Sequence, residues 1–137
     1  EGMTYFGGEF TLAEPDDGEP GGHLSAYDPI TGERHWRIRH KYPLLASQLA
    51  TAGDLLFTGD ATGKAFALDT ETGKELWSFR TGSGIRSSPM TYAVNGKQYV
   101  AIPSGWGSAL AGLITQLWPE AKDFPSGATL FVFALPE

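Results

Sequence analysis

The sequence predicts an all-β fold, a partial β-propeller of about three four-stranded blades, and three observations carry that prediction. The stretch Asp69-Thr70-Glu71-Thr72-Gly73, followed four residues later by Trp77, repeats Asp28-Pro29-Ile30-Thr31-Gly32 followed by Trp36, and the copies stand 41 residues apart. That spacing matches the roughly 40–45 residues of one propeller blade. Eighteen glycines and nine prolines in 137 residues demand many short turns, as a repeat of short strands does. Between those turns run short segments of alternating apolar and polar residues, the period of a β-strand.

Each copy of the repeat is legible in physical terms. The Asp ends a strand, and its carboxylate can accept from backbone N–H groups two or three residues on. The Gly supplies the positive φ that closes the turn. The Trp is a large apolar wedge whose indole N–H needs a partner when buried. Asp28, Gly32, Trp36, Asp69, Gly73 and Trp77 are therefore structural residues, a tryptophan-docking repeat that packs blade against blade.

In chain order, residues 5–12 alternate as a strand, and residues 13–22, with Pro15, Asp17-Gly18 and Pro20, form a loop. Strands at 23–28 and 34–40 flank the first Asp-x-x-Thr-Gly turn, so residues 1–40 make a first, partial blade. Strands at 48–52, 55–58, 64–68 and 75–80 make one complete blade over 48–80. A last blade covers 82–135. In it Asn95-Gly96, the strongest short type I′ signal, joins strands at 90–94 and 97–102. Residues 103–126 form an insertion holding Trp106 and Trp118, with a helical turn around 110–117. The closing strand, 128–135, is apolar enough to be buried on both faces. A closed ring needs at least about four blades, so residues 1–137 read as a single segment, the C-terminal part of a longer propeller.

Composition narrows the function. Ten Lys and Arg against sixteen Asp and Glu leave a net charge of −6, which repels a phosphate backbone and argues against nucleic acid. No apolar run approaches the ~20 residues of a membrane helix, so no membrane insertion is expected. Without cysteine there is neither a disulfide nor a thiolate metal site. His23, His35 and His40 lack the spacing of a ligand set, and the acidic run Asp16, Asp17, Glu19 lacks the alternating oxygens of a calcium loop.

Several segments together resemble the C-terminal end of the quinoprotein alcohol dehydrogenases, the methanol/ethanol dehydrogenase family that uses pyrroloquinoline quinone (PQQ). They are Leu49-Ala50-Thr51-Ala52-Gly53-Asp54-Leu55-Leu56-Phe57-Thr58-Gly59, the two Ala-x-Asp-x-x-Thr-Gly-x-x-x-Trp copies, and Thr81-Gly82-Ser83-Gly84-Ile85. Asn95-Gly96-Lys97-Gln98-Tyr99-Val100-Ala101 and Gly127-Ala128-Thr129-Leu130-Phe131-Val132-Phe133-Ala134-Leu135 complete the match. The resemblance implies an eight-bladed propeller in a periplasmic enzyme that oxidises a small alcohol to a carbonyl compound. The cofactor PQQ would sit beside a calcium or lanthanide ion, and electrons would pass to a c-type cytochrome.

The same resemblance implies that the catalytic base and the metal ligands belong to earlier blades. No catalytic residue and no metal ligand is thus expected in this chain, which would be inactive alone and would have the remaining blades as its partners. Two places match family contacts with the cofactor. Where the family reads Trp-Gly-Gly, this chain has Leu45, Ala46 and Ser47, a departure that removes any ring contact from the Trp. The second is Trp106 and Gly107, in a Gly-aromatic-Gly segment near the ring axis. Beyond it, Leu110, Leu113 and Trp118 match a region that walls the alcohol pocket. Arg86 stands at the start of an inner strand, with either the funnel or the solvent before it. The alternative is a non-catalytic propeller, a scaffold for protein binding or outer-membrane assembly; Leu45-Ala46-Ser47 favours it, and the long insertion favours the enzyme.

Overall fold

A computed structural model describes residues 18, 20–107 and 109–134. The strand expected at 5–12 and residues 13–17 and 19 of the loop expected at 13–22 lie outside the described residues. Three antiparallel sheets follow one another along the chain, and in each every strand pairs with its sequence neighbour. The first sheet joins β1 (Gly22–Tyr27) and β2 (Arg34–His40). The second is β3 (Leu49–Ala50), β4 (Leu55–Gly59), β5 (Lys64–Asp69) and β6 (Glu75–Arg80). The third is β7 (Met90–Val94), β8 (Lys97–Gly105) and β9 (Ala128–Ala134). Between β8 and β9 the chain forms α1 (Ala109–Leu117) and a 3-10 turn (Pro119–Asp123).

The repeated turns are built alike. Asp28 Oδ1 accepts from the backbone N–H of Ile30 and Thr31, each at 2.8 Å, and Gly32 takes φ +74°. Asp69 Oδ1 accepts from the Thr72 N–H at 2.8 Å and the Thr72 hydroxyl at 2.7 Å, and Gly73 takes φ +73°. Both Asp carboxyls are held below their usual range by those donors, Asp28 first by the Thr31 N–H and Asp69 first by the Thr72 hydroxyl. A register shift precedes each turn, between Ala26 and Tyr27 and between Ala67 and Leu68. The Asn95-Gly96 hairpin has φ +51° and +79°, the two positive values that a type I′ turn requires.

The inner strand β5 of the second sheet is buried on both faces. Leu56, Phe66 and Leu68 pack on Leu24, Trp36 and Ile38 of the first sheet. Leu49, Phe57, Ala65 and Trp77 pack on Val100, Ile102 and Phe133 of the third and on Ile85 in the loop that leads into it. Residues 65–68 of β5 are consequently no more than 2% exposed. Each large side chain so buried is worth about 1.5–3 kcal/mol. Trp36 reaches forward, its indole N–H donating to the Thr70 carbonyl at 2.9 Å while its ring covers Gly73. Trp77 reaches forward in the same way and meets Phe133 edge-on, ring centres 4.9 Å apart.

Two expectations are corrected. β8 runs on through Pro103, Ser104 and Gly105, so the insertion starts at Trp106 and not at residue 103. β7 pairs with β8 only as far as Ala101, whereas β9 pairs with it to Gly105. Pro103 therefore lies where one edge of β8 is open, a position that tolerates a residue without an N–H. β9 is not buried on both faces. It is the edge strand of a three-stranded sheet; Phe131 and Phe133 turn toward Phe79 and Trp77, but Leu130 is 61% and Val132 48% exposed.

Candidate functional site

The chain enters its second and third sheets through two loops that lie 41 residues apart, so Leu45, Ala46 and Ser47 correspond to Arg86, Ser87 and Ser88. Both loops precede the first strand of a sheet, and they touch: the Ser88 hydroxyl donates to Ser47 Oγ at 2.9 Å. Ser47 is exposed, and its carbonyl accepts from Thr58 at 3.2 Å. Ala46 is buried, its methyl in the core shared with Ala65 and Ile85. Leu45 leans instead toward the insertion, against Ile114, Trp118 and Ala121. The three residues expected at the cofactor thus face three ways.

Trp106 follows directly from β8. Its N–H donates to Ser83 Oγ at 3.0 Å, and its indole lies on Gly84, where an added Cβ would come within 2.4 Å of the ring. Only a residue without a side chain fits there. Gly107 takes φ +130°, and its carbonyl accepts from Arg86 Nη1 at 2.8 Å. The half-buried Trp106 ring also meets Phe124, centres 5.6 Å apart.

The insertion is a packed unit. Ile114, Trp118 and Ala121 form its core, and Tyr42, Leu45, Trp106 and Phe124 close around it. Tyr42 fits edge-on between Trp118 and Phe124, at 5.7 and 5.0 Å. Its hydroxyl donates to Glu120 Oε1 at 3.0 Å, and Lys41 pairs with the same oxygen at 2.6 Å. Hydrogen bonding from Lys41 draws the Glu120 carboxyl down to about 2, with its own backbone N–H and Tyr42 adding to the effect. Trp118, expected on a pocket wall, is only 8% exposed and serves as the plug of this unit. Leu110 and Leu113 fall on α1, but their side chains lie outside the described residues.

An open depression of about 410 Å³ lies beside this junction, lined by Arg86, Ser87, Pro103, Thr129 and Leu130 among others. Among the described residues, Arg86 is the only charged group on its wall. Ser87 donates to the Pro103 carbonyl at 2.6 Å and so holds the entry loop to β8. Among the described residues no group of three or more His, Asp or Glu is placed to hold a metal ion, and no helix is long and apolar enough to cross a membrane. His40, stacked on Phe66 with its Nε2 buried, is held below the usual histidine range, burial being the main cause.

The structure therefore brings Leu45, Trp106 and Trp118 into one cluster and Gly107 to Arg86, and it leaves Ala46 in the inter-sheet core. Sequence reasoning missed the Lys41–Glu120–Tyr42 junction, for which no local pattern exists. The tie from Arg86 to Gly107 had a signal, since the 41-residue period puts Arg86 in the place of Leu45.

Residues 37–100 match the family described as glucose/ethanol/alcohol dehydrogenase, beta-propeller domain. Quinoprotein alcohol dehydrogenase PedH of Pseudomonas putida is 38% identical over 137 residues, all of this chain and 23% of that protein. The 1-butanol dehydrogenase (cytochrome c) of Thauera butanivorans is 38% identical over 98% of this chain and 19% of its own length. Among solved structures, a europium-containing methanol dehydrogenase superposes with a TM-score of 0.71 at 34% identity, covering 82% of this chain and 23% of that one. The chain thus spans about a quarter or less of the relatives it matches. Its three sheets are blades of a partial β-propeller, and the chain belongs to the PQQ-dependent quinoprotein alcohol dehydrogenase family.

Proposed function

We propose that this chain supplies consecutive blades, and one stretch of the cofactor rim, to a PQQ-dependent alcohol dehydrogenase that works in the periplasm and passes electrons to a c-type cytochrome. The observation that carries this reading is the meeting of the two entry loops with Trp106 at one end of adjacent blades. Relatives of the same class support it: one is named for cytochrome c, and a structural neighbour contains europium. A calcium or lanthanide ion would take its ligands from parts of the protein other than the described residues.

The rim suits a flat, acidic quinone. Trp106 offers a half-buried aromatic surface of the kind that packs against a planar ring. Ser47 and Ser88 offer exposed hydroxyls that donate or accept. When bound, PQQ supplies the two-electron acceptor for alcohol oxidation, chemistry that no side chain here performs. The chain's own residues position and shield. The Gly107 carbonyl fixes Arg86, Gly84 lets Trp106 lie close, and Trp118 with Tyr42 holds the insertion over the loop at 42–45. The insertion, through Leu110 and Leu113 on α1, would wall the alcohol pocket, with Trp118 fixing it from within.

The test uses the full-length protein that carries this chain, freed of cofactor and supplied with PQQ and either calcium or a lanthanide. Alcohol-dependent reduction of an artificial electron acceptor is expected only with both additions, and Trp106→Ala should weaken quinone binding about tenfold or more. A full-length protein that binds no quinone would overturn the proposal and leave the scaffold reading, which the inward turn of Leu45 and the burial of Ala46 favour.

A further inference from the structure

Among the described residues, Arg86 is the one charge on the wall of the depression. It holds in the third blade the place that Leu45 holds in the second, one period of 41 residues later. Leu45 goes into the packing of the insertion, whereas Arg86 lines the open depression of about 410 Å³. Its Nη1 donates to the Gly107 carbonyl at 2.8 Å. That bond uses one of five guanidinium donors and fixes the plane of the rest. Among the described residues, no carboxylate pairs with Arg86 and none lines the depression. In a chain with net charge −6, acidic partners are plentiful, yet none of the described ones shares the depression with this guanidinium.

A half-buried guanidinium with spare N–H groups presents the fork that a carboxylate fits with two parallel bonds. We propose that Arg86, held in plane by Gly107, anchors a carboxylate-binding subsite at the rim. The carboxylate belongs to a small molecule, either the acidic quinone or an alcohol substrate that itself bears a carboxylate. Only the choice between these sources rests on the function proposed above; the subsite does not.

The full-length protein without cofactor, as wild type, Arg86→Leu and Arg86→Lys, tests it. Acetate is titrated while the arginine side-chain Nε–Hε resonances are followed. One resonance, missing from both variants, should shift saturably, and the absence of any saturable shift overturns the subsite whatever the quinone does. PQQ and its trimethyl ester are then compared. If the cofactor supplies the carboxylate, Arg86→Leu weakens PQQ binding about tenfold or more and ester binding less, with Arg86→Lys between wild type and Arg86→Leu. If the substrate supplies it, the kcat/KM for a short hydroxy acid falls about tenfold relative to ethanol in Arg86→Leu. In a wild type that does bind quinone, an acetate response accompanied by neither change also overturns the proposal as a functional subsite. Wild type that binds acetate but no quinone supports the subsite and removes the dehydrogenase reading.

Discussion

The Trp36 indole N–H donates to the Thr70 carbonyl at 2.9 Å, so a side chain of the first blade satisfies a backbone group in the turn of the second. The bond spans 34 residues of sequence and fixes the distance between two sheets. Trp36→Phe keeps an aromatic ring but removes the donor and part of the volume. A loss of about 1–3 kcal/mol is expected from the missing bond and the cavity together, measured as a lower urea midpoint of the full-length protein. An unchanged midpoint would mean that the indole contributes nothing across the gap.

Gly73 is the other half of that contact. It takes φ +73°, and a Cβ there would lie 2.8 Å from the Trp36 ring. Gly73→Ala therefore meets both a backbone cost of about 1–2 kcal/mol and an overpacked ring. Gly32 has the same φ with open space around it, so Gly32→Ala should show the backbone cost alone. Combined with Trp36→Phe, the Gly73→Ala effect should shrink, because the smaller ring removes the clash; a double-mutant cycle reads that coupling. Strict additivity would refute the contact.

Most of the fold was legible because it is written in local chemistry. The Asp-x-x-Thr-Gly turns and Asn95-Gly96 each bring their own donors and positive-φ residues, so strand ends fell within a few residues of their places. The end of β8 was not legible, because Pro103 argues against a central strand and only the longer pairing with β9 overrides it. Burial of β9 was misread for a related reason: apolar content marks a strand that wants cover, not one that has it. At the site, Trp106 stands out in the sequence by its flanking glycines, but the fates of Leu45 and Trp118 depend on the path of the insertion, which joins residues some 70 apart in sequence. No periodicity encodes such a contact.

The insertion carries an exposed ion pair at the Glu120 carboxylate, which Lys41 draws down to about 2. A carboxyl lowered on folding contributes fully above the ordinary glutamate range, and its contribution is lost as pH falls toward about 2. Backbone amides of the insertion should therefore exchange faster at about pH 3 than near neutrality, relative to those of β5. In Glu120→Gln the fast exchange should be present already near neutrality and should change little with acid. Equal protection in both proteins would show that Tyr42, Trp118 and Phe124 hold the insertion unaided.

The outer face of the third blade carries Met90, Tyr92, Val94 and Val132, all more than 40% exposed. Pairing places Met90, Ala101 and Val132 side by side, so these residues form one continuous apolar patch. A patch of this kind marks an interface, and in a propeller its occupant is the neighbouring blade. The 137-residue chain expressed alone should then self-associate at micromolar concentration and show no alcohol-dependent activity with added PQQ. Tyr92→Lys with Val132→Lys places two charges on the patch and should shift the isolated chain toward monomer in sedimentation velocity, while the same pair in the full-length protein should lower its stability by several kcal/mol. A wild-type chain that is monomeric and melts cooperatively would show that these blades need no neighbour.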